Sequence, residues 1–112
     1  MSVPGASERI RAAMLDLEGV TVQPHRFGGQ EYRLGRREIG HLHGDSLVDV
    51  PFPRTIRDHG LAAGQAEAHH ILPDSGWVSR YLERPEDVET AIALLRRSCD
   101  LARRQGHAPD ED

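Results

Sequence analysis

Two short stretches concentrate the side chains able to do chemistry. Gly40-His41-Leu42-His43-Gly44-Asp45 places two imidazoles at alternate positions, and His69-His70-Ile71-Leu72-Pro73-Asp74-Ser75-Gly76-Trp77 places two side by side. Alternate residues of a strand project from the same side, so His41 and His43 form a pair. Imidazole titrates near pKa ~6.5 and therefore donates or accepts a proton around neutral pH; it is also a frequent zinc ligand. Three uses are open for the cluster. Each histidine can be a neutral structural group bonded to a carbonyl, a tyrosine hydroxyl or a carboxylate, as burial requires. Alternatively His41, His43 and His70, with Trp77 and Tyr81 as walls, line a ligand or proton-transfer pocket. The third use is a metal site at His41 and His43, with His70, His25 or Asp45 completing it. No Cys-x-x-Cys or His-Glu-x-x-His motif accompanies the His-x-His.

The elements that must position these groups can be read from periodicity and turns. Ile10, Ala13, Met14 and Leu17 recur at helical spacing, which predicts a helix from a Ser7 cap to Leu17, stopped by Gly19. Glycine-bearing turns at Gly28-Gly29, Gly35-Arg36 and Gly44-Asp45 separate strands expected near 20–26, 30–34, 37–43 and 46–50. A second helix is expected over 54–63, despite the ~1 kcal/mol cost of Gly60. Residues 67–72 and 77–82 read as a hairpin across Pro73-Asp74-Ser75-Gly76. A last helix starts at Pro85, with Glu86 and Asp87 at its positive end and Arg103 and Arg104 at its negative end. Its stripe is Val88, Ala91, Ile92, Leu95, Ser98/Cys99 and Ala102. The order α-β-β-β-β-α-β-β-α predicts an α+β fold: two layers, a largely antiparallel sheet with helices on one face.

Two-residue turns would set the register and hence the faces. They pair Leu34 with Arg37, Arg33 with Glu38 and Tyr32 with Ile39, then His43 with Ser46, His41 with Val48 and Ile39 with Val50. His41 and His43 would then lie with Ile39, Val48 and Val50 beneath the helices. In the second hairpin, Leu72 would face Trp77, His70 would face Ser79, and Ala68 would face Tyr81. His70 would be the inward histidine and His69 the outward one, opposite Arg80. His25 falls opposite Tyr32 only if Val20 and Val22 point outward, so Pro24 marks a bulge or the register there shifts by one.

Other candidates have plainer readings. Ser75 could be a nucleophile beside His70, yet Asp74-Ser75-Gly76 suits a turn and no Gly-x-Ser-x-Gly elbow surrounds it. Asp45 and Asp49 could orient an imidazole, although Asp45 also suits a turn. Cys99 reads as a small buried hydrophobe and Trp77 as core packing. Arg96, Arg97, Arg103 and Arg104 are accounted for by Asp100 and the helix dipole. Gly28-Gly29 lacks the strand-to-helix context of a phosphate loop.

At 112 residues the chain supports one domain, expected over 1–107, with an acidic, proline-containing tail at 108–112 expected to be disordered. A net charge of −4 argues against general nucleic-acid or anionic-membrane binding, and no apolar run approaches a membrane span. Residues 1–7 lack the features of a secretory signal, and Cys99 is the single cysteine, so no internal disulfide is expected. These point to a cytoplasmic location. All 14 basic residues are arginine, and lysine and asparagine are absent, as GC-rich prokaryotic codon usage would produce.

Four ordered blocks carry a family resemblance over roughly residues 8–103: Pro24-His25-Arg26-Phe27-Gly28-Gly29, Gly35 through Gly44, Asp49-Val50-Pro51-Phe52-Pro53, and His69 through Val78. They resemble the small prokaryotic family of unknown function labelled "luciferase domain". The resemblance implies no catalytic residues. Light emission is not implied either, since flavin luciferases resemble far longer (β/α)8 barrels and no flavin or nicotinamide phosphate motif is present. The element order is also similar to the MmcQ/YjbR-like group and the type III secretion chaperones, apart from one extra early strand. That similarity implies a small, acidic, dimeric binding protein.

The leading expectation is a domain that binds a small ligand in a histidine-lined pocket formed by His41, His43, His70, Trp77 and Tyr81. The alternatives are a homodimeric, chaperone-like interaction module and a metal-dependent hydrolase-type enzyme using His41, His43 and His70 with a divalent metal such as zinc. No catalytic residue is assigned and no other cofactor is expected.

Overall fold

A computed structural model describes residues 2–105; the expected disorder of 108–112 lies outside them. The chain folds as α1 (Ala6–Leu15), β1 (Val20–Pro24), a 3-10 turn (Arg26–Gly28), β2 (Gln30–Leu34), β3 (Arg37–His43), β4 (Leu47–Pro51), α2 (Arg54–Ala62), β5 (Glu67–Ala68), β6 (Trp77–Tyr81) and α3 (Pro85–Arg104). All strand pairings are antiparallel, in the order β1-β2-β3-β4-β6-β5. The α+β class and the element order agree with the sequence reading. No helix among the described residues is long and apolar enough to cross a membrane.

The core lies between the sheet and the helices. Leu42, Val48, Val50 and Val78 meet Ile92, Leu95 and Cys99 of α3, and Ile10 and Met14 of α1 close the other end. At Gly40 the strand touches α3 directly: an added Cβ would stand 2.5 Å from Leu95 Cδ2 and 2.8 Å from the Asp49 carbonyl. Helix α1 starts at Ala6 rather than at a Ser7 cap. The Asp45 carboxylate takes the Ser7 backbone N–H at 2.8 Å, so the cap comes from a distant turn.

Several registers differ from expectation, each for a local reason. Leu34 pairs with Arg37 and Arg33 with Glu38 as expected, but Tyr32 pairs with Gly40, because a bulge at Ile39 inserts one residue. Ile39 and Leu42 can then both enter the core, although three residues apart on one strand. The Ser98 hydroxyl of α3 donates to the Ile39 carbonyl at 2.8 Å, supplying a partner at the irregularity. Between β3 and β4 the loop holds three residues, not two, so His43 pairs with Leu47 and His41 with Asp49. A one-residue slip reverses faces, and His41 and His43 therefore project from the side away from the helices, not beneath them. In the first hairpin Val22, not His25, pairs with Tyr32, which keeps Val20 in the core.

The expected 67–72 strand shrinks to Glu67 and Ala68, which pair with Ser79 and Val78. The pairings Leu72–Trp77, His70–Ser79 and Ala68–Tyr81 do not form. Instead the Leu72 carbonyl accepts the Ser75 N–H and hydroxyl, closing a local turn. Gly76 packs against Phe52, whose N–H donates to the Gly76 carbonyl, and a Cβ at Gly76 would lie 1.9 Å from the Phe52 oxygen. Residues 69–76 thus form a loop that arches over the open face of the sheet.

Candidate functional site

Three neighbouring strands and that loop bring the cluster together. Asp49 on β4 sits between His41 on β3 and Ser79 on β6, its partners across the sheet. Ser79 Oγ donates to Asp49 Oδ1 at 2.6 Å. Oδ2 faces four imidazoles: the Nε2 atoms of His43, His41, His70 and His69 stand 3.0, 3.2, 3.3 and 3.4 Å away. Asp49 is completely buried, although no helix covers this side.

The bulge shapes the cluster as well as the core. It places Glu38 and His41, three residues apart, on one side, where His41 Nδ1 donates to Glu38 Oε2 at 2.6 Å. That bond directs the lone pair or proton of Nε2 toward Asp49. His25 stacks on His41 with ring centroids 4.0 Å apart, and its own Nδ1 bonds Glu31 at 2.8 Å. Glu31 also pairs with Arg33. Trp77 closes the other side, 5.2 Å from the His41 ring.

His69 plays a different part from its neighbours. Its Nδ1 accepts the backbone N–H groups of Ile71 and Leu72, at 3.1 and 3.0 Å. With Nδ1 as acceptor, the proton of the neutral ring resides on Nε2, which points at Asp49. His69 therefore holds both the loop and the carboxylate. Sequence pairing assigned it outward and His70 inward; in the structure His69 is buried, His70 is exposed, and both reach Asp49.

The electrostatics follow from this crowding. Burial alone would lower the His41 pKa, but hydrogen bonds and charges from Asp49 and Glu38 outweigh it and raise it to about 9. Burial would raise the Asp49 pKa, yet hydrogen bonds from His41, Ser79 and His70, with the charge of His69, hold it well below the usual carboxylate range. Burial pushes the His69 pKa down, helped by the charges of His70 and His41 and opposed by that of Asp49.

Of the residues singled out in the sequence, the structure gathers His41, His43, His70 and Trp77, with His25 beside them, around a cavity of about 270 Å³. Tyr81 is not among the residues lining it; it lies farther along β6, opposite Leu47, and is exposed. Asp45 is engaged with α1. Ser75 serves its turn, and Cys99 is buried in α3. Sequence reasoning missed the centrality of Asp49 and the contributions of Glu38, His69 and Ser79. Counting Ser46 into the loop would have set Asp49 opposite His41. The glycine inside a strand, Gly40, was the signal for the bulge.

Three sets of donor atoms lie within 4.8 Å of one another: His41, His43 and Asp49; Asp49, His69 and His70; and His25, Glu38 and His41. Such sets of imidazole and carboxylate can hold a divalent cation or position a proton.

Searches among curated proteins and among solved structures return no match. A comparison with protein-family models matches residues 36–98 to the Luciferase domain. That span covers more than half the chain and runs from the β2–β3 turn into α3, taking in Glu38, His41, His43, Asp49, His69, His70 and Ser79. The chain belongs to the Luciferase domain family.

Proposed function

We propose that this domain binds a divalent metal ion of the zinc type through His41, His43, His70 and Asp49, and holds a small ligand beside it in the histidine-lined cavity. The carrying observation is the approach of four imidazole nitrogens to one carboxylate oxygen at 3.0–3.4 Å. A carboxylate offers about four acceptor positions over its two oxygens, and Ser79 already occupies Oδ1, so hydrogen bonding makes poor use of four donors at Oδ2. Donor atoms about 2.0–2.1 Å from a tetrahedral zinc stand about 3.3 Å apart, which matches the distance from Oδ2 to each imidazole. The other separations fall within 4.8 Å in two sets that share Asp49, one with His41 and His43 and the other with His69 and His70.

The surrounding bonds sort the ligands. Glu38 takes the Nδ1 proton of His41 and leaves Nε2 for a cation, the carboxylate–histidine arrangement that orients metal ligands. His69, protonated on Nε2, is a positioning residue that donates to Asp49. His70 reaches Asp49 from the loop, while the other three ligands stand on adjacent strands. Four protein ligands close a tetrahedral cation, so a water acidified toward neutral pH, or the head of a ligand, would take the position of the exposed His70, leaving His41, His43 and Asp49 as the three protein ligands of an open site.

Calorimetric titration of metal-stripped protein with zinc tests this. One equivalent should bind, and zinc at about a hundred times Kd should add about 2.7 kcal/mol of stability. Asp49→Ala and His41→Ala should lose both effects, and His59→Ala on α2 should keep them. If Asp49→Ala does not fold, the exposed His70→Ala carries the test. No heat and no stabilisation at millimolar zinc, with the wild-type protein folded, would overturn the proposal.

A further inference from the structure

We infer that the ligand held at this centre is an amphiphile, with an anionic metal-binding head at the Asp49 cluster and an apolar body lying between Phe27 and the Ile71–Leu72 tip. This rests on the metal reading. Five large apolar side chains are exposed among the described residues: Leu15, Phe27, Ile71, Leu72 and Tyr81. Three of them, Phe27, Ile71 and Leu72, line the one cavity that also contains His41, His43 and Asp49.

Neither rim is a slack loop. Phe27 is 97% exposed, and it is the one described non-glycine residue with positive φ, at 57°. A left-handed backbone disfavours a bulky side chain there, and asparagine or glycine would suit both the turn and the solvent better. The turn is nonetheless fixed. His25 N–H donates to Gly29 O at 2.9 Å, Gly29 N–H donates to Arg26 O at 3.1 Å, and a Cβ on Gly29 would lie 2.4 Å from Leu42 O. On the opposite rim, Ile71 (71% exposed) and Leu72 (50%) are held through their backbone N–H groups by His69 Nδ1. The imidazole that orients Asp49 therefore also sets the apolar tip.

Size and charge define the occupant. A 150 Å³ cavity accommodates about one benzene, so about 270 Å³ fits roughly ten to twelve heavy atoms, the bulk of an eight-carbon acyl chain and its head group. A cation on Asp49, with His41 and His43 beside it, selects an anionic head, and Trp77 and Leu72 give the body an apolar wall.

Octanohydroxamate and acetohydroxamate, which share a metal-binding head, separate the two parts of this reading on the zinc-loaded protein. Zinc affinity, measured first, reports the metal site alone; its absence sinks the metal reading and this inference with it. With zinc bound, octanohydroxamate should bind between about tenfold and a hundredfold more tightly, since each fully buried methylene contributes about fourfold and this open cavity would take about two or three of the six additional ones wholly out of water. The Phe27→Ser/Ile71→Ser variant should bind zinc as the wild type does and reduce that ratio below about threefold. Equal affinities for the two probes in the wild type, or an undiminished ratio in the variant, would overturn the inference while leaving the metal site standing. A wild-type dimer that the same substitutions dissociate would overturn it too, by assigning the apolar rim to a second copy of the chain.

Discussion

Val48, Asp49 and Val50 are consecutive, all fully buried, and serve opposite sides of one strand. On the helix side, Val48 and Val50 join Tyr32, Leu42 and Val78 in an apolar layer closed by α3. On the other side, Asp49 joins His41, His43 and Ser79, and the covering comes from Trp77 and the 69–72 segment. The comparison teaches that the two sides bury their residues by different physics. The helix side gains from removing apolar area from water, about 25 cal/mol per Å². A buried carboxylate gains nothing that way and is tolerated only with partners, which here are imidazoles and a hydroxyl. Stability should therefore reside mainly on one side and ligand chemistry on the other.

The strongest way to break that division is to damage the apolar side. Leu42→Ala should lower the unfolding free energy by about 2–5 kcal/mol in urea titrations, while zinc affinity of the folded protein stays within about twofold of wild type. Zinc affinity falling in step with stability would show the two sides to be inseparable.

A smaller effect is expected at the start of α3. Asp87 Oδ2 accepts the backbone N–H groups of Glu83 and Arg84 at 2.9 and 2.8 Å, and Oδ1 accepts Arg80 at 2.5 Å. Burial would raise the Asp87 pKa, but these bonds and the Arg80 charge lower it. A depressed folded-state pKa gives stability that is present above the unfolded carboxylate value, about 3.9, and is lost as pH falls through the folded value. Asp87→Asn should cost about 1 kcal/mol at pH 7 and flatten that acid-side loss, read from chemical unfolding between pH 3 and pH 7. An unchanged acid limb would assign it elsewhere.

The least stability change is expected at His70, which is exposed and stands on the loop. His70→Ala should alter unfolding by no more than about 0.5 kcal/mol while weakening zinc binding. The reverse result, a destabilised protein with intact zinc affinity, would make the histidine cluster structural.

Much of this architecture was legible in the sequence because alternation and turn residues mark strands strongly: β2 and β3 have the expected bounds, and β1, β4 and α2 fall close to theirs. The gathering of His41, His43 and His70 was also expected. Their side of the sheet was not. A two-residue turn and a three-residue loop at Gly44 look alike in sequence, since Ser46 suits either a strand or a loop, yet they place His41 on opposite sides. The 69–76 segment was misread for another reason. Its hairpin pattern is overridden by the Gly76–Phe52 contact, a long-range packing that periodicity does not encode. His69 changed roles with it.

The brevity of β5 bears on how this molecule behaves among its own copies. Two residues make a very short edge strand at that margin, and at the opposite margin β1 ends in Pro24, which has no N–H to offer. Templated strand addition, the route by which sheets grow into fibrils, finds poor purchase at either end. A protein built this way can leave one sheet surface without a helical layer, open to small visitors, without inviting polymerisation.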